Sequence, residues 1–544
     1  MGEAMMRLMT MMAVGVALAG GMARGDLAED ARTEMRRAVR PGGVDGHAFW
    51  NGHSRFFMYP PAFDFKPVDG AADYLYRVTD DFGGVYTFRD PQPTASLLPV
   101  WEKLKTTNGF VTVTCLGADK AGRVVGEAGF RSFFRKSPYV PGSYPAAACS
   151  YADCARRIRA YVSTLDIVRN FSGTVRDAER YCLYSYPSKL LSSLVKALLR
   201  DAEAVPERRE TSRAVALRMG EFLLAESFPA TAAWPNVPPT YWGPADDSTN
   251  AVMTCYPADA GRAYLALARA TGDGKWLAAA RAVGETYLGK QGADGSWCMK
   301  VDARTGKELV KNRIVPLGIS DFLAELGRAT GDARFGAAAA RAFENVLRTR
   351  LATWNWEGQF EDTRASAPYE NLTKHEACST AIELLRRHPK DPAALADARE
   401  LLRFAEDQFV FWTRPRRPDG ASPIDGGLFS KDWRVQEWVV PSVTEQYFCY
   451  WPIDASVAKL IRTYLALYRA EGRPLDLAKA RTLGDSVTRI QDRRGRVPTF
   501  WVKFTECPGN LRGAGGWYPG GGFVDWLNCM VATAEALDEL VAAE

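Results

Sequence analysis

The residues best suited to proton transfer are concentrated between positions 354 and 376. His375 belongs to the run PYENLTKHE (368–376), at the predicted start of a helix. A neutral imidazole is a competent base near neutral pH, and a helix start disfavours its charged form. We therefore predict that His375 is a catalytic base or acid, a capping or packing role being the alternative. The other catalytic candidates of this segment are Tyr369, Asn371, Glu357 and Glu361.

Aromatic side chains are frequent in the polar segments between the predicted helices. The chain has 15 Trp and 21 Tyr, and many of them lie beside Asn, Asp and Glu. Aromatic rings stack on the C–H faces of sugars, while amide and carboxylate groups hydrogen-bond the hydroxyls. These segments predict a carbohydrate-binding cleft. The candidate substrate-binding residues are Trp354, Trp356, Tyr241, Trp242, Tyr256, Trp297, Asn312, Arg313, Tyr447, Tyr450, Trp501 and Trp517.

The elements that must position these residues are helices, because apolar residues recur with a helical period after Cys149. Twelve helices are predicted, near 151–170, 187–201, 208–226, 253–271, 275–289, 315–330, 333–350, 373–388, 392–411, 453–471, 475–491 and 523–542. The run ALARATGDGKWLAAARAVGETYL returns as ELGRATGDARFGAAAARAFENVL, which indicates a repeated helical hairpin. Six hairpins predict an (α/α)6 toroid over 150–544, with an open solenoid as the alternative. In a closed ring the long links between hairpins share one rim, where function concentrates.

The segment 48–145 has the alternating pattern of short strands, as in YLYRVTD and FVTVTCLGAD. The runs PPAFDF, YLYRV and NGFVTVTCLGADKAGR resemble a fibronectin type III or immunoglobulin-like domain. This resemblance implies a small β-sandwich that orients the helical part. The predicted fold is therefore mainly α, with an (α/α)6-type toroid preceded by a small β-sandwich and a linker over 26–47. We expect the helical part to fold without the sandwich.

The first 25 residues resemble a secretory signal, with Arg7, an apolar stretch over 8–19 and a small-x-small site at 23–25. A secreted or periplasmic protein is expected, without membrane insertion. A net charge of +5, spread along the chain, does not favour nucleic acid as a partner. The ten cysteines form no C-x-x-C pair, so no metal site and no cofactor are predicted. Their spacing leaves room for one disulfide, such as Cys149–Cys154.

The combination of an exported sandwich and an (α/α) toroid with Tyr, His, Asn and Glu on one rim resembles the toroid carbohydrate-active enzymes. These include polysaccharide lyases, glucuronyl C5-epimerases and six-hairpin glycoside hydrolases. The resemblance implies a polysaccharide or oligosaccharide substrate. It also implies, for a lyase, that Asn, Arg or a protonated acid neutralises the substrate carboxylate, while Tyr or His transfers protons.

A lyase acting on a uronate-containing glycan is placed first. β-Elimination requires neutralisation of the uronate carboxylate, a base for the C5 proton and an acid for the leaving oxygen. His375 is the predicted base. The neutralising candidates are Asn371, Asn312, Arg313, Glu357 and Glu361. The candidate acids are Tyr369, Tyr447, Tyr450, Tyr241 and Tyr256.

Three other functions remain open. A glycoside hydrolase needs two carboxyl groups, for which the candidates are Glu357, Glu361 and Asp362 against Asp246, Asp247 or Asp259. A C5-epimerase needs bases on both faces of the sugar ring. A non-catalytic glycan-binding protein is the alternative if Glu357, Tyr369, Asn371 and His375 do not converge. The sugar, the linkage and the choice between endo and exo action are not specified by the sequence.

Overall fold

Helices follow one another in pairs from residue 151 to the end of the chain. The structure is a computed structural model that describes residues 24–42, 49–173, 186–242, 250–360, 365–415, 435–504 and 526–544. The longer helices are α1 (Arg24–Arg36), α2 (Tyr151–Thr164), α3 (Pro187–Ala204), α4 (Arg209–Ala225), α5 (Pro257–Thr271), α6 (Gly274–Lys290), α7 (Leu317–Thr330), α8 (Ala333–Val346), α9 (His375–Arg387), α10 (Pro392–Phe409), α11 (Asp454–Glu471), α12 (Pro474–Ile490) and α13 (Leu527–Val541). Each of the twelve predicted helices is present, with boundaries shifted by a few residues.

These helices form a closed double ring. The inner helices α3, α5, α7, α9, α11 and α13 contact one another in that order, and α13 returns to α3. Each packs against an outer partner, namely α4, α6, α8, α10, α12 and, for α13, α2. The predicted (α/α)6 toroid is therefore confirmed. The ring is closed by pairing the last helix of the chain with the first helix of the ring.

The hairpins turn where the sequence predicts that helices end. Gly272, Gly331 and Gly472 follow three inner helices, and each has φ of 70° in the left-handed region. Glycine adopts this conformation without the steric cost of a Cβ atom. In two of these hairpins an aspartate, Asp273 or Asp332, then accepts a backbone hydrogen bond and caps the outer helix. These short links leave the inner helices parallel, with their first turns at one rim.

The N-terminal β-region is a single sheet. Its strands are β1 (Phe56–Phe57), β2 (Asp73–Asp80), β3 (Val85–Asp90), β4 (Gly109–Ala118) and β5 (Val124–Arg135), in the order β1-β5-β4-β2-β3. All pairs are antiparallel except β1 with β5. The prediction of a β-sandwich is wrong for the described residues, because no second sheet covers this one. An alternating pattern reports one buried face and does not report whether a sheet or a helix covers it.

The edge of the sheet formed by β1 and the end of β5 contacts the outer helix α10. The side chain of Lys136, which follows β5, donates to the carbonyl oxygens of Glu406 and Val410 at 3.1 and 2.5 Å. The amide group of Gln408 donates to the carbonyl of Phe56 at 2.6 Å. One hydrophobic core includes buried residues of both parts. The sheet is therefore joined to the ring by buried contacts.

Part of the segment predicted as a linker is the helix α1, which packs against α12. Glu34 of α1 forms an ion pair with Lys479, and Lys479 also binds Glu406 at 2.8 Å. An amphipathic segment with such a partner is stabilised as a helix by packing. The linker assignment of these residues is therefore wrong.

Short strands fold the long links against the rim of the ring. They are β6 (Ala251–Met253), β7 (Lys300–Asp302), β8 (Val410–Phe411), β9 (Val435–Trp438), β10 (Ser442–Gln446), β11 (Cys449–Pro452) and β12 (Val502–Phe504). They pair as β6 with β7, β10 with β8 and β11, and β9 with β12.

No helix in the described part of the chain is long and apolar enough to cross a bilayer. Cys149 and Cys154 are both free thiols, so the disulfide considered for them is absent from the structure.

Candidate functional site

A cavity of about 340 Å³ lies at the axis of the ring, at the N-terminal ends of the inner helices. Residues three or four apart on a helix share one face, so successive turns of each inner helix project polar groups to the axis. All six inner helices contribute. Their polar lining residues are Lys189 and Ser193 (α3), Asp259 and Arg262 (α5), Asp321 (α7), His375, Glu376 and Ser379 (α9), Ser456, Lys459 and Arg462 (α11), and Asn528 (α13).

His375 and Glu376 occupy the first turn of α9 and both line the cavity. The side chain of His375 is exposed to the cavity. Burial, followed by the charges of Lys459, Lys374 and Lys189, holds the pKa of His375 well below its usual value. Burial raises the pKa of Glu376 to about 7. At neutral pH the imidazole is therefore a free base, and Glu376 keeps its proton to a higher pH than an exposed glutamate does.

Two further carboxyl groups reach the cavity from neighbouring inner helices. Asp259 lies in the first turn of α5, and Asp321 lies one turn into α7. Burial raises the pKa of both groups, and the nearby Glu383 adds to the effect on Asp321. Among the described residues, neither carboxyl group has a hydrogen bond or an ion pair. Unpaired carboxyl groups with raised pKa values in a cavity are candidates for acid–base chemistry.

Cations surround these acids. Lys459 donates to the hydroxyl group of Ser379 at 2.8 Å, and burial followed by Arg462 lowers the pKa of its ammonium group. Lys374 donates to the carbonyl oxygen of Glu445 at 2.7 Å. The first turns of six parallel helices add positive potential at the same place. The cavity therefore favours an anionic ligand.

The start of α9 is fixed by hydrogen bonds to β10. The hydroxyl of Thr373 donates to the carbonyl oxygen of Glu445 at 2.9 Å. The amide group of Asn371 donates to the side chain of Gln446 at 2.8 Å. The backbone amide of Tyr447 donates to the carbonyl oxygen of Leu372 at 3.0 Å. Because these groups are buried, they fix the backbone that carries His375.

Of the residues predicted from the sequence, His375 and Tyr256 line the cavity. The ammonium group of Lys189 lies 5.3 Å from the centroid of the Tyr256 ring, which places that ring beside the cationic lining. Asp259, a carboxyl candidate for the hydrolase, also lines the cavity, as does Glu376, the last residue of the run PYENLTKHE.

Tyr369, Asn371 and Glu357 do not join His375 in the cavity lining. The ring of Tyr369 stacks on His53 at 3.6 Å between centroids, and its hydroxyl donates to the carbonyl of Thr353. The side chain of Asn371 is fully buried against β10, as described above. Glu357 is buried and pairs with Arg350 at 3.2 Å. The structure therefore does not bring these three residues together with His375, and their polar groups are engaged in holding the links.

The predicted stacking surfaces are largely core side chains. Trp297, Trp356 and Trp501 are at most 1% exposed, and Trp354 is 5% exposed. The indole N–H groups of Trp297 and Trp501 donate to the carbonyls of Tyr287 and Pro498. A ring enclosed on both faces cannot stack on a sugar, so a binding role for these residues is not supported. A tryptophan in a link between helices is compatible either with ligand binding or with burial in the core. These tryptophans are buried.

The remaining predicted contacts lie around the links. Tyr447 is buried and its hydroxyl donates to Gln408 at 2.7 Å. Asn312 donates to the carbonyl oxygen of Ser366 at 3.0 Å, and the exposed Arg313 pairs with Glu308. None of the three lines the cavity.

Tyr241 and Trp242 are adjacent in the sequence and pack on different neighbours. Tyr241 is buried against Tyr186, with ring centroids 5.1 Å apart, in a small cluster that includes the cavity-lining Trp526. Trp242 lies edge-on to Phe222. The other predicted residues lie outside the described part of the chain, namely Glu361, Asp362, Trp517, Asp246 and Asp247, together with the side chain of Tyr450.

Sequence reasoning missed Asp321, Lys459, Arg262 and Arg462. Each is a charged residue on the apolar side of an inner helix, as in GISDFLAEL and ASVAKLIRTYL. A charge in a stripe that should face a core was the available signal. Within the described residues, no three His, Cys, Asp or Glu side chains are close enough to hold a metal ion.

Comparison with known proteins gives low similarity. A D-mannose isomerase is 11% identical, with 74% of this chain and 100% of that chain covered at a TM-score of 0.48. A cellobiose 2-epimerase from Spirochaeta thermophila is 17% identical, covering 72% and 98% at 0.46. A family 76 glycoside hydrolase from a bovine Bacteroides thetaiotaomicron strain is 12% identical, covering 87% and 93% at 0.45. No protein family and no curated protein matches the sequence. The function therefore has to be inferred from the cavity.

Proposed function

We propose that the protein is a carbohydrate-active enzyme that cleaves a uronate-containing glycan by β-elimination. The observation that carries the proposal is the pair His375 and Glu376 in the first turn of α9. One is held as a neutral base and the other has a pKa of about 7, and no described residue hydrogen-bonds either side chain. A base and an acid side by side in a cationic cavity are the groups that elimination requires.

The reaction follows from the positions of these groups. His375 removes the C5 proton of the uronate, and the electron pair of that C–H bond forms the C4–C5 double bond. The bond between C4 and the glycosidic oxygen breaks, and Glu376 donates its proton to that oxygen. Lys459 and the other cations of the lining stabilise the charge that develops on the carboxylate during proton removal. The products are an unsaturated uronate and a free hydroxyl group.

Glycoside hydrolysis is the second candidate, and a separate observation favours it. Asp259 and Asp321 lie on neighbouring inner helices, and their carboxyl groups have no partner among the residues that the structure describes. With Glu376 as the acid, either aspartate is available to activate a water or to attack the anomeric carbon. Both reactions use Glu376 as the acid. Elimination uses His375 as the base, whereas hydrolysis uses Asp259 or Asp321 as the base or nucleophile.

Product analysis on a panel of uronate polymers tests the proposal. Elimination is expected to produce reducing ends together with the ultraviolet absorbance of an unsaturated uronate. Reducing ends without that absorbance would replace elimination by hydrolysis. Incorporation of solvent deuterium at C5 without cleavage would indicate epimerisation instead. Binding of these polymers with neither exchange nor cleavage would leave a non-catalytic glycan-binding protein.

Export of the protein is part of the same proposal, because a polysaccharide substrate lies outside the cell. The predicted signal sequence over 1–25 supports it. Amino-terminal sequencing of the protein recovered from its producing cell tests this, with a start just after residue 25 expected.

A further inference from the structure

The ring encloses a second cavity, at the C-terminal ends of the inner helices. Its volume is about 570 Å³, and its lining includes Lys196, Arg269, Glu325 and Glu535. The linings of the two cavities share two residues, Arg262 of α5 and Arg462 of α11. Because inner helices run from one mouth to the other, these arginines stand between the two cavities. They form the floor of the catalytic cavity.

Each floor arginine lies one turn deeper in the ring than a residue of the catalytic cavity. Arg262 follows Asp259 by three positions, and Arg462 follows Lys459 by the same interval. Three residues advance a helix by about 4.5 Å. The floor therefore lies about one helical turn deeper in the ring than Asp259 and Lys459.

Each guanidinium group has a glutamate beside its Nε atom and lines both cavities. The Nε atom of Arg462 donates to Glu539 at 2.7 Å, and the Nε atom of Arg262 lies 3.6 Å from Glu325. No described residue accepts a hydrogen bond from the terminal nitrogens of either group. The two side chains keep 36% and 39% of their surface accessible, although they lie inside the ring. That exposure is to the cavities.

The lysine behind the floor reinforces its charge. Lys196 of α3 lines the second cavity, and burial followed by Arg262 lowers the pKa of its ammonium group. Among the described residues Lys196 has no ion pair or hydrogen bond from its side chain. Lys196 and Arg262 are thus neighbouring cations in the lining of the second cavity, which also includes Glu325 and Glu535.

We propose that Arg262 and Arg462 bind the carboxylate of a terminal uronate, so that the enzyme acts on the end of a chain. This inference rests on the proposed function. Guanidinium groups with free terminal nitrogens match the two oxygens of a planar carboxylate. A cavity of about 340 Å³ is at the small end of ligand pockets, which span about 300 to 1,000 Å³. The two arginines lie on α5 and α11, which are opposite one another in the ring of six inner helices, so a chain end that reaches this level meets a donor from each side.

Each floor arginine has a matched control that shares its glutamate. Arg269 binds Glu325 at 2.7 Å and Arg469 binds Glu539 at 3.3 Å, but neither lines the catalytic cavity. Arg262→Met and Arg269→Met therefore both remove an ion pair to one glutamate, and only the first removes a donor from the floor. Arg462→Met and Arg469→Met form the second matched pair. Melting temperatures of the four variants report any shared structural cost.

The test is titration calorimetry of the full-length protein with a uronate disaccharide, its carboxyl-reduced neutral counterpart and a neutral disaccharide carrying a sulfate ester. The uronate form is expected to bind best. Arg262→Met and Arg462→Met should each weaken its binding by about tenfold, as expected for loss of a charge-assisted bidentate contact. Binding of the neutral sugar should be unchanged in them, and both controls should bind like the wild type.

Equal losses in the floor variants and their controls would overturn the inference, as would equal affinity for the uronate and neutral sugars. Equal affinity for the sulfate ester would overturn the assignment to a carboxylate. Chain-end action is tested on a polyuronate, where release of the smallest products from the start is expected. A rapid fall in viscosity before small products accumulate would contradict it.

These outcomes separate the two proposals. Uronate binding that depends on the floor, without cleavage of any polymer, would retain the floor site and reject the proposed reaction. Cleavage that is insensitive to both floor variants would retain the reaction and reject the floor site.

Discussion

His375 is the residue on which the proposed reaction depends most directly. We expect His375→Gln to lower turnover by about two orders of magnitude or more, because glutamine keeps hydrogen-bonding capacity but cannot accept the proton. Binding and melting temperature should stay near those of the wild type, since no described residue hydrogen-bonds the imidazole. Steady-state kinetics with a parallel melting curve measure both. Tyr369→Phe is the control, because its hydroxyl contacts the carbonyl of Thr353 outside the cavity.

The pKa directions at the same two residues predict the pH profile. His375 must be deprotonated to act. Because its pKa lies well below the ordinary value, the increase of the rate with increasing pH should be complete below the range of an ordinary histidine. Glu376 must be protonated to act, and its pKa is about 7, so the rate should fall above neutrality. The expected profile of kcat/KM is a bell with its alkaline limb near pH 7. In Glu376→Gln the alkaline limb should be absent from the residual activity; persistence of that limb would assign it to another group.

At this scale the sequence identified His375 and the carboxyl candidate Asp259, and it missed Asp321. His375 was visible because four histidines are few enough to weigh one by one, and it begins a helix after a polar link. Asp321 was not predicted, because a single acidic residue in a helix is usually assigned to the exposed face. The structure shows that this face is interior. Asn371 and Glu357 were predicted from their residue types alone. In the structure the amide group of Asn371 bonds Gln446, and the carboxylate of Glu357 pairs with Arg350.

The links between hairpins are the elements whose role changes most between sequence and structure. Trp356 lies in such a link, and its ring is fully buried. We expect Trp356→Ala to lower the free energy of unfolding by about 3 to 5 kcal/mol, the usual cost of deleting a buried large aromatic side chain. Chemical denaturation measures this loss. KM measured at a temperature where the variant is folded should stay close to that of the wild type; a raised KM with normal stability would restore the stacking role.

Helix positions were predictable because their signals are local. Three of the predicted hairpins end an inner helix at a glycine that adopts left-handed φ, and the helical period places each helix. The sheet was predicted as strands for the same reason. The attachment of the sheet to α10 was not predictable, because the contacts of Lys136 with Glu406 and Val410 join residues 270 or more positions apart.

For the whole molecule, the junction between sheet and ring predicts the effect of truncation. A chain that begins at residue 146 loses the donors to Asp407, whose carboxylate accepts from the amides of Met58 and Tyr59. It also loses the partners of Gln408 and of the last carbonyls of α10. Each buried polar group left unpaired costs about 1 to 3 kcal/mol, against a total stability of about 5 to 15 kcal/mol.

We therefore expect the 146–544 fragment to aggregate or to melt without cooperativity, contrary to the expectation that the helical part folds alone. Size-exclusion chromatography and thermal circular dichroism measure the outcome. A chain that begins at Asp26, after the predicted signal sequence, is the control and should melt as one cooperative unit. A soluble, cooperative 146–544 fragment would establish the domain boundary predicted from the sequence.

The ring is closed by the contact between α13 and α2, which are the last and first helices of residues 151–541. During synthesis the other inner helices can pack in order, but the seam stays open until the residues of α13 leave the ribosome. The wall of the cavity that carries Asn528 is the last to arrive. A nascent chain therefore has no closed site, and loss of the last helix by a premature stop or a protease would open the ring at its seam and leave the chain without one.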